Sequence, residues 1–135
     1  MQPQISSITY EKASELSEDN RHVFKIFNNK GEVACKAKLE YISIPCRMFI
    51  LKWLGLEPDV ETGDGYGTKM IQQINDFLSS KKIPGVLFSL NSALGFYEKN
   101  GWKRYRSTNI YFFGDISEEE KETAINKIHF RLKHI

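Results

Sequence analysis

Three glycines stand at alternate positions in the stretch from Thr62 to Thr68, at Gly63, Gly65 and Gly67. No other stretch restricts the fold of this chain as much. The run before it, Met48 to Leu56, is almost continuously apolar and reads as a strand buried on both faces. After it come Met70, Ile71, Ile74, Phe77 and Leu78, three and four apart, against Lys69, Gln72, Gln73 and Asp76. That spacing predicts a helix to about Ser80 with one stripe lying on a sheet. Strand, glycine turn and helix in this order make an anion site. Glycines let backbone N–H groups turn toward a ligand, and the helix N-terminus adds partial positive charge, so a diphosphate can be held without a lysine.

Established nucleotide motifs do not fit the turn. The dinucleotide fingerprint needs glycines first, third and sixth, but counting from Gly63 puts Thr68 sixth and counting from Gly65 puts Met70 there. A phosphate loop of the Walker kind needs Gly-Lys-Ser/Thr after four spacers, and the sequence has none. A plain strand-to-helix turn remains the structural alternative.

Around this unit the rest of the chain reads as α/β. Ile5 to Tyr10 is a candidate first strand, and Glu11 to Asn20 a polar helical turn or loop. His22 to Phe27 and Val33 to Tyr41 form a hairpin about Asn28-Asn29-Lys30-Gly31. Pro84-Gly85 precedes a central strand, Val86 to Leu90, parallel to the first through a right-handed helical crossover. Ser92 to Asn100 is a short helix closed by Gly101, and Trp102 to Arg106 pairs with Asn109 to Phe113. Ser117-Glu118-Glu119-Glu120 is a capping box that opens a last helix, with Ile125, Ile128 and Leu132 as its stripe and Lys133 and His134 at its end.

Composition narrows the function. A length of 135 residues suits one domain, and 41% hydrophobic with 27% charged residues argues against disorder. A net charge of +2 implies neither a nucleic-acid nor a membrane partner. Cys35 and Cys46 with three scattered histidines build no metal site, and free thiols suit a reducing cytoplasm. The N-terminus has no leader pattern, and Met48 to Leu56 is far short of the about 20 residues that span a bilayer.

Leu54-Gly55-Leu56-Glu57-Pro58, the turn Gly63 to Thr68, the stripe from Met70, and Ala93-Leu94-Gly95-Phe96-Tyr97-Glu98-Lys99-Asn100-Gly101-Trp102 resemble the acetyl-CoA site of the GNAT superfamily of N-acyltransferases. The resemblance covers about residues 48–106. It implies a mixed, mostly antiparallel sheet whose central parallel pair splays, with helices on both faces; the last helix, over about 117–133, is appended outside the family core. It also implies acetyl transfer from acetyl-CoA to a primary amine on a small molecule or peptide.

By the same resemblance, Leu54, Gly55 and Leu56 meet the pantetheine arm and the thioester. The amides of Gly63, Asp64, Gly65, Tyr66, Gly67 and Thr68 take the diphosphate, and Tyr97 protonates the departing thiolate. A phenol with pKa about 10 can serve a thiolate whose conjugate acid lies at about 8.5 if it is close and oriented. Members usually carry Gln or Arg where this chain has Thr62; Asp64 adds negative charge to the turn; one extra residue follows Pro58. These departures motivate the alternative of a CoA-binding or interaction domain without catalysis. The stretch from Tyr10 to His22 is shorter than the two helices that members place there.

Other candidates each have a bland reading. Glu57 and Glu61 are candidate general bases or ordinary surface carboxylates, and Asn91 is a pantetheine contact or a helix cap. Lys99, Lys103, Arg104 and Arg106 meet nucleotide phosphates or form a solvated face. Cys46 beside Arg47 is a candidate for a lowered thiol pKa. A homodimer through the last helix or the terminal hairpin is compatible with all of these.

Overall fold

The computed structural model describes residues 5–12, 21–43, 46–57 and 65–128. Seven strands form one sheet: β1 (Ile5–Lys12), β2 (Arg21–Asn28), β3 (Val33–Ile42), β4 (Met48–Leu56), β5 (Gly85–Phe88), β6 (Lys103–Arg104) and β7 (Ile110–Phe113), in the order β1-β2-β3-β4-β5-β7-β6. Every neighbouring pair is antiparallel except β4 with β5. Among the described residues three helices complete it: α1 (Tyr66–Lys81), α2 (Leu94–Lys99), which continues a 3-10 turn at Asn91–Ala93, and α3 (Glu118–Ile128). This is the mixed, mostly antiparallel sheet expected from the sequence.

Local chemistry explains the elements. Asn28 accepts the Lys30 and Glu32 amides through Oδ1 at 2.9 and 3.0 Å, and Gly31 takes φ 79°, so the β2–β3 turn is set by its own residues. α1 begins after Gly65 at φ 84° and stops at Lys82, itself left-handed, whose amide donates to the Ser79 carbonyl. The α3 capping box is formed reciprocally, with the Glu120 amide on Ser117 Oγ at 3.1 Å and the Ser117 amide on Glu120 Oε1 at 3.2 Å.

The sheet has a core on each face. On one side α1 lays Met70, Ile71, Ile74 and Leu78 over Phe24, Ile26, Cys35, Ala37, Leu39, Phe49 and Leu51, and Tyr97, Trp102 and Tyr111 extend this cluster below α2. On the other side Ile42, Met48, Ile50, Val86, Ile110 and Phe112 pack beneath Ala124 of α3. Helices therefore cover both faces.

Some boundaries differ from the expectation. β1 runs two residues beyond Tyr10, to Lys12. β5 ends at Phe88: the Ser89 amide still donates to the Asn109 carbonyl in register at 2.8 Å, but the Ser89 carbonyl takes the Asn109 side-chain Nδ2 at 3.1 Å, and Leu90 lies outside the sheet, half-exposed. β4 is buried on both faces only from Met48 to Leu51; from Lys52 onward it is partly open. The expected helical turn or loop over Glu11–Asn20 fails for Glu11 and Lys12, which are strand, and lies outside the described residues for the rest, as do Leu132, Lys133 and His134.

Gly85 opens β5 where Leu78 and Trp102 converge: a Cβ there would lie 2.8 Å from Leu78 Cδ1 and 2.8 Å from Trp102 Cη2. Gly85→Ala should therefore lower stability by about 1–3 kcal/mol through overpacking. Urea denaturation checks this, and a wild-type midpoint would show that the two side chains yield without cost.

Candidate functional site

The parallel ladder between β4 and β5 is only two pairs long, Phe49 with Gly85 and Ile50 with Val86, helped by the Phe49 amide on the Pro84 carbonyl at 2.9 Å. Beyond it the strands keep to their outer partners. β4 stays with β3 as far as Leu56 opposite Cys35, followed by the Glu57 amide on the Ala34 carbonyl at 3.0 Å, while β5 stays with β7. Lys52 has no opposite residue in β3, since Leu39 pairs with Leu51 and Lys38 with Trp53, and this bulge bends β4 as the gap opens. The pairing of β4 with β5 thus stops at Ile50 opposite Val86, while β4 itself runs on to Leu56. An edge of amides and carbonyls thus lines a wedge at the C-terminal ends of the parallel strands.

The N-terminus of α1 begins at Gly65, and Tyr66 packs in one cluster with Leu54 and Leu56 of β4. With Gly65 as N-cap, the N–H groups of Tyr66, Gly67 and Thr68 fall in the first turn, where the helix itself offers no acceptor. Gly67 sits against α2: a Cβ there would lie 3.6 Å from the Phe96 ring. The side chain of Tyr66 is buried in the α1 core. Leu54 and Leu56 turn their side chains into the same core, and Gly55 faces the opposite side of the sheet. Gly63, Asp64, Thr62 and Glu61 lie outside the described residues.

Tyr97 is 2% exposed and packs among Phe96, Trp102 and Tyr111, at centroid separations of 5.1, 6.4 and 6.1 Å. Burial raises its pKa far above the ordinary phenol, so it stays protonated through the physiological range. Its mount is pinned at several points. Tyr111 Oη donates to Glu98 Oε1 at 2.7 Å and lies 3.3 Å from the Leu94 carbonyl; burial first, then this carboxylate, pushes the Tyr111 pKa up to about 12. Asn100 Nδ2 donates to the Phe96 carbonyl, Asn75 Nδ2 to the Asn100 carbonyl, and Trp102 Nε1 to Asn75 Oδ1, each at 2.8 Å. One α1 side chain therefore ties α1 to both the end of α2 and the core tryptophan.

Some expectations are corrected. Asn91 does not cap the helix; Leu90 holds that position without a side-chain bond, and Asn91 Oδ1 accepts Asn109 Nδ2 at 2.7 Å. The Cys46 thiol is raised rather than lowered, by burial and then by the nearby Glu120 carboxylate. In the basic cluster, Arg104 donates to the Thr108 carbonyl and Arg106 lies over the Tyr105 ring, so both serve their own hairpin. Glu57 is half-buried at the end of β4. Sequence reasoning alone misses Trp53, Asn75 and Asn109. Trp53 stands beside Lys52 in the strand, but alternation across a bulge hides which side chain is open.

The chain has the fold of the GNAT N-acetyltransferases. Over 84% of it superposes on 82% of the GNAT family N-acetyltransferase YhbS of Escherichia coli in complex with CoA, with TM-score 0.63 and 11% identity. The catalytic domain of the Tetrahymena GCN5 histone acetyltransferase in complex with coenzyme A gives TM-score 0.54 at 24% identity over 64% of this chain, which spans 52% of that one. AtaT complexed with acetyl-methionyl-tRNAfMet gives 0.62 at 13% identity, over 80% of this chain and 95% of that one. No family model and no curated protein matches the sequence.

The packing under the wedge can be probed at Asn75 and at Cys35. Asn75→Ala leaves the Trp102 N–H and the Asn100 carbonyl without their partner and should cost about 1–3 kcal/mol in chemical denaturation; an unchanged midpoint would mean that Asn75 ties nothing. Cys35 is fully buried, and burial raises its pKa from 9.0 to about 11. Above pH 9 the unfolded thiol ionises while the folded one keeps its proton, so this stabilisation is present below pH 9 and lost by about pH 11. Cys35→Ala should reduce the alkaline loss of stability over that interval by about 2–3 kcal/mol, and equal losses in both proteins would count against it.

Proposed function

We propose that the protein transfers an acetyl group from acetyl-CoA to a primary amine by direct attack. The observation that carries this reading is the two-pair parallel ladder that parts beside the N-terminus of α1. CoA has a diphosphate at one end and an arm with two amide groups at the other. The first-turn N–H groups of α1 suit the former, and the open backbone edge from Leu51 to Leu56 suits the latter. The CoA in the E. coli and Tetrahymena structures of the same fold supports this assignment.

Acetyl-CoA supplies an activated acetyl group as its thioester. On this reading, Leu54, Gly55 and Leu56 align the arm and direct a backbone N–H at the thioester oxygen, where negative charge develops. Gly63, Asp64, Gly65, Tyr66, Gly67 and Thr68 hold the diphosphate through their amides, and Asn91 offers its side-chain amide near the arm. Glu57, at the end of β4, takes the proton that the acceptor ammonium must lose before its nitrogen attacks. As the new C–N bond forms and the C–S bond breaks, Tyr97 gives its phenolic proton to sulfur. Burial makes this phenol a weak acid, so the transfer depends on the thiolate being held close to it and in line.

Calorimetry with CoA, and release of free thiol from acetyl-CoA across a panel of amines, test the proposal. CoA should bind and at least one amine should accelerate thiol release. Tyr97→Phe should keep CoA affinity within about threefold and lower turnover about 10²–10⁴-fold. Failure to bind CoA would sink the function, CoA binding without turnover of any amine would favour a non-catalytic domain, and full turnover by the Phe variant would remove the acid role alone.

A further inference from the structure

We propose that the acceptor is an acidic peptide, taken on the sheet face opposite α1 by Lys36, Lys38 and Trp53. The inference rests on the acetyl-transfer reading above and names the substrate of that same site. On the α1 side the end of the wedge is filled by Tyr66, Tyr97, Phe96, Leu54 and Leu56. An incoming nitrogen therefore approaches from the other face.

There β4 presents Trp53 and Gly55. Trp53 is 51% exposed and its indole lies along the strand over Gly55, where a Cβ would come within 3.0 Å of Cζ2. A flat apolar wall is thus laid beside the gap. Among the described residues the other large exposed hydrophobic side chain is Leu90, which follows β5 at the same end of the sheet.

The neighbouring strand carries cations on this face. Lys36 is opposite Gly55, Lys38 is opposite Trp53, and Lys25 of β2 is opposite Lys36. The Cys35, Ala37 and Leu39 side chains between and beyond them point into the α1 core. Across the gap, Arg106 lies over Tyr105, which packs in the core on the α3 side.

Carboxylates gather at the other end of this face. Glu40 is opposite Ile50, below the point where the strands part, Glu120 is beside Cys46, and Glu118 pairs with Lys121 at 3.1 Å. Glu57 at the end of β4, the proposed base, and Glu11, at the register position opposite Val23, are the acidic residues nearer the cations.

Alternate residues of a strand lie about 7 Å apart on one face, the same as alternate side chains of an extended peptide. Lys36 and Lys38 can therefore meet two acidic side chains of one extended acceptor while Trp53 packs along it. Single-stranded nucleic acid is served by a succession of exposed stacking rings, and among the described residues Trp53 is the large aromatic side chain exposed here.

The test compares thiol release from acetyl-CoA with three hexapeptides that share an N-terminal alanine; the remaining positions are Asp and Glu in one, Ser and Gly in another, and Lys and Arg in the last. A fourth acceptor is an alanyl ester of a short oligonucleotide. The acidic peptide should lead in kcat/KM by about tenfold or more, and its lead should shrink as salt rises from about 0.05 to 0.5 M. The double variant Lys36→Glu with Lys38→Glu should reverse the order in favour of the basic peptide while calorimetry shows CoA affinity unchanged. If that variant does not fold, Lys38→Gln, at an exposed position, should reduce the acidic lead about threefold or more. A leading neutral or basic peptide, a leading oligonucleotide ester, no turnover of any peptide, or insensitivity to the lysine changes would each overturn the proposal, with CoA still bound. Absence of CoA binding would instead remove the acetyl-transfer reading, and this inference with it.

Discussion

The site depends on a broken ladder: β4 and β5 share two backbone pairs and then follow different partners. Backbone N–H and C=O groups that lose a sheet partner must find another, in water or in a ligand. Alternate residues of β4 between Leu51 and Leu56 therefore aim their backbone groups at the gap, in the middle of a seven-stranded sheet rather than at its margin. A central position gives such an edge rigidity, because its other side is locked to β3 up to Leu56 and Glu57. It also limits access to molecules thin enough to enter between two strands. An amide-bearing chain fits both conditions, since it pairs with an exposed strand much as another strand would.

The helices around the gap are held by polar ties rather than by propensity. α2 has six residues, too few to be stable alone. Its position comes from Tyr111 on Glu98, from Asn100 on Phe96, and from Asn75 on Asn100. Asn75 belongs to α1, the helix whose other end meets Phe96 of α2 at Gly67. The first turn of α1 and its middle are thus both tied to α2, so that displacing either helix would strain the other.

The elements around the gap were legible in the sequence because they are encoded by backbone geometry. Gly65 marks a left-handed residue, Gly101 another, and the Met70–Leu78 stripe has the period of a helix on a sheet. Those signals are local, and β4, α1 and α2 lie where they were read. What the sequence hid is long-range. Beyond Phe88 the Asn109 side chain, 20 residues away, takes the Ser89 carbonyl where the ladder would use a backbone donor, and the same Nδ2 donates to Asn91 Oδ1. The thiol of Cys46 went the other way from the expectation set by Arg47 because Arg47 Nε donates to Tyr41 Oη at 3.1 Å while Glu120, far along the chain, lies near the sulfur.

The acceptor half follows a different rule. Its candidate residues, Lys36, Lys38 and Trp53, come from two strands and are brought together by register alone. Lys52, the unopposed residue, decides that register: without the bulge, Trp53 would share the side of the sheet with Leu51, in the α1 core, and the face beside the gap would lose its ring. One inserted residue in β4 thus both bends the strand away from β5 and turns the indole toward the open face. The feature that admits the donor is in this way tied to the one that shapes the surface for the acceptor. Changes to acceptor preference are then expected to arise by altering side chains on β3, which leave the bulge intact, more readily than by altering β4 itself.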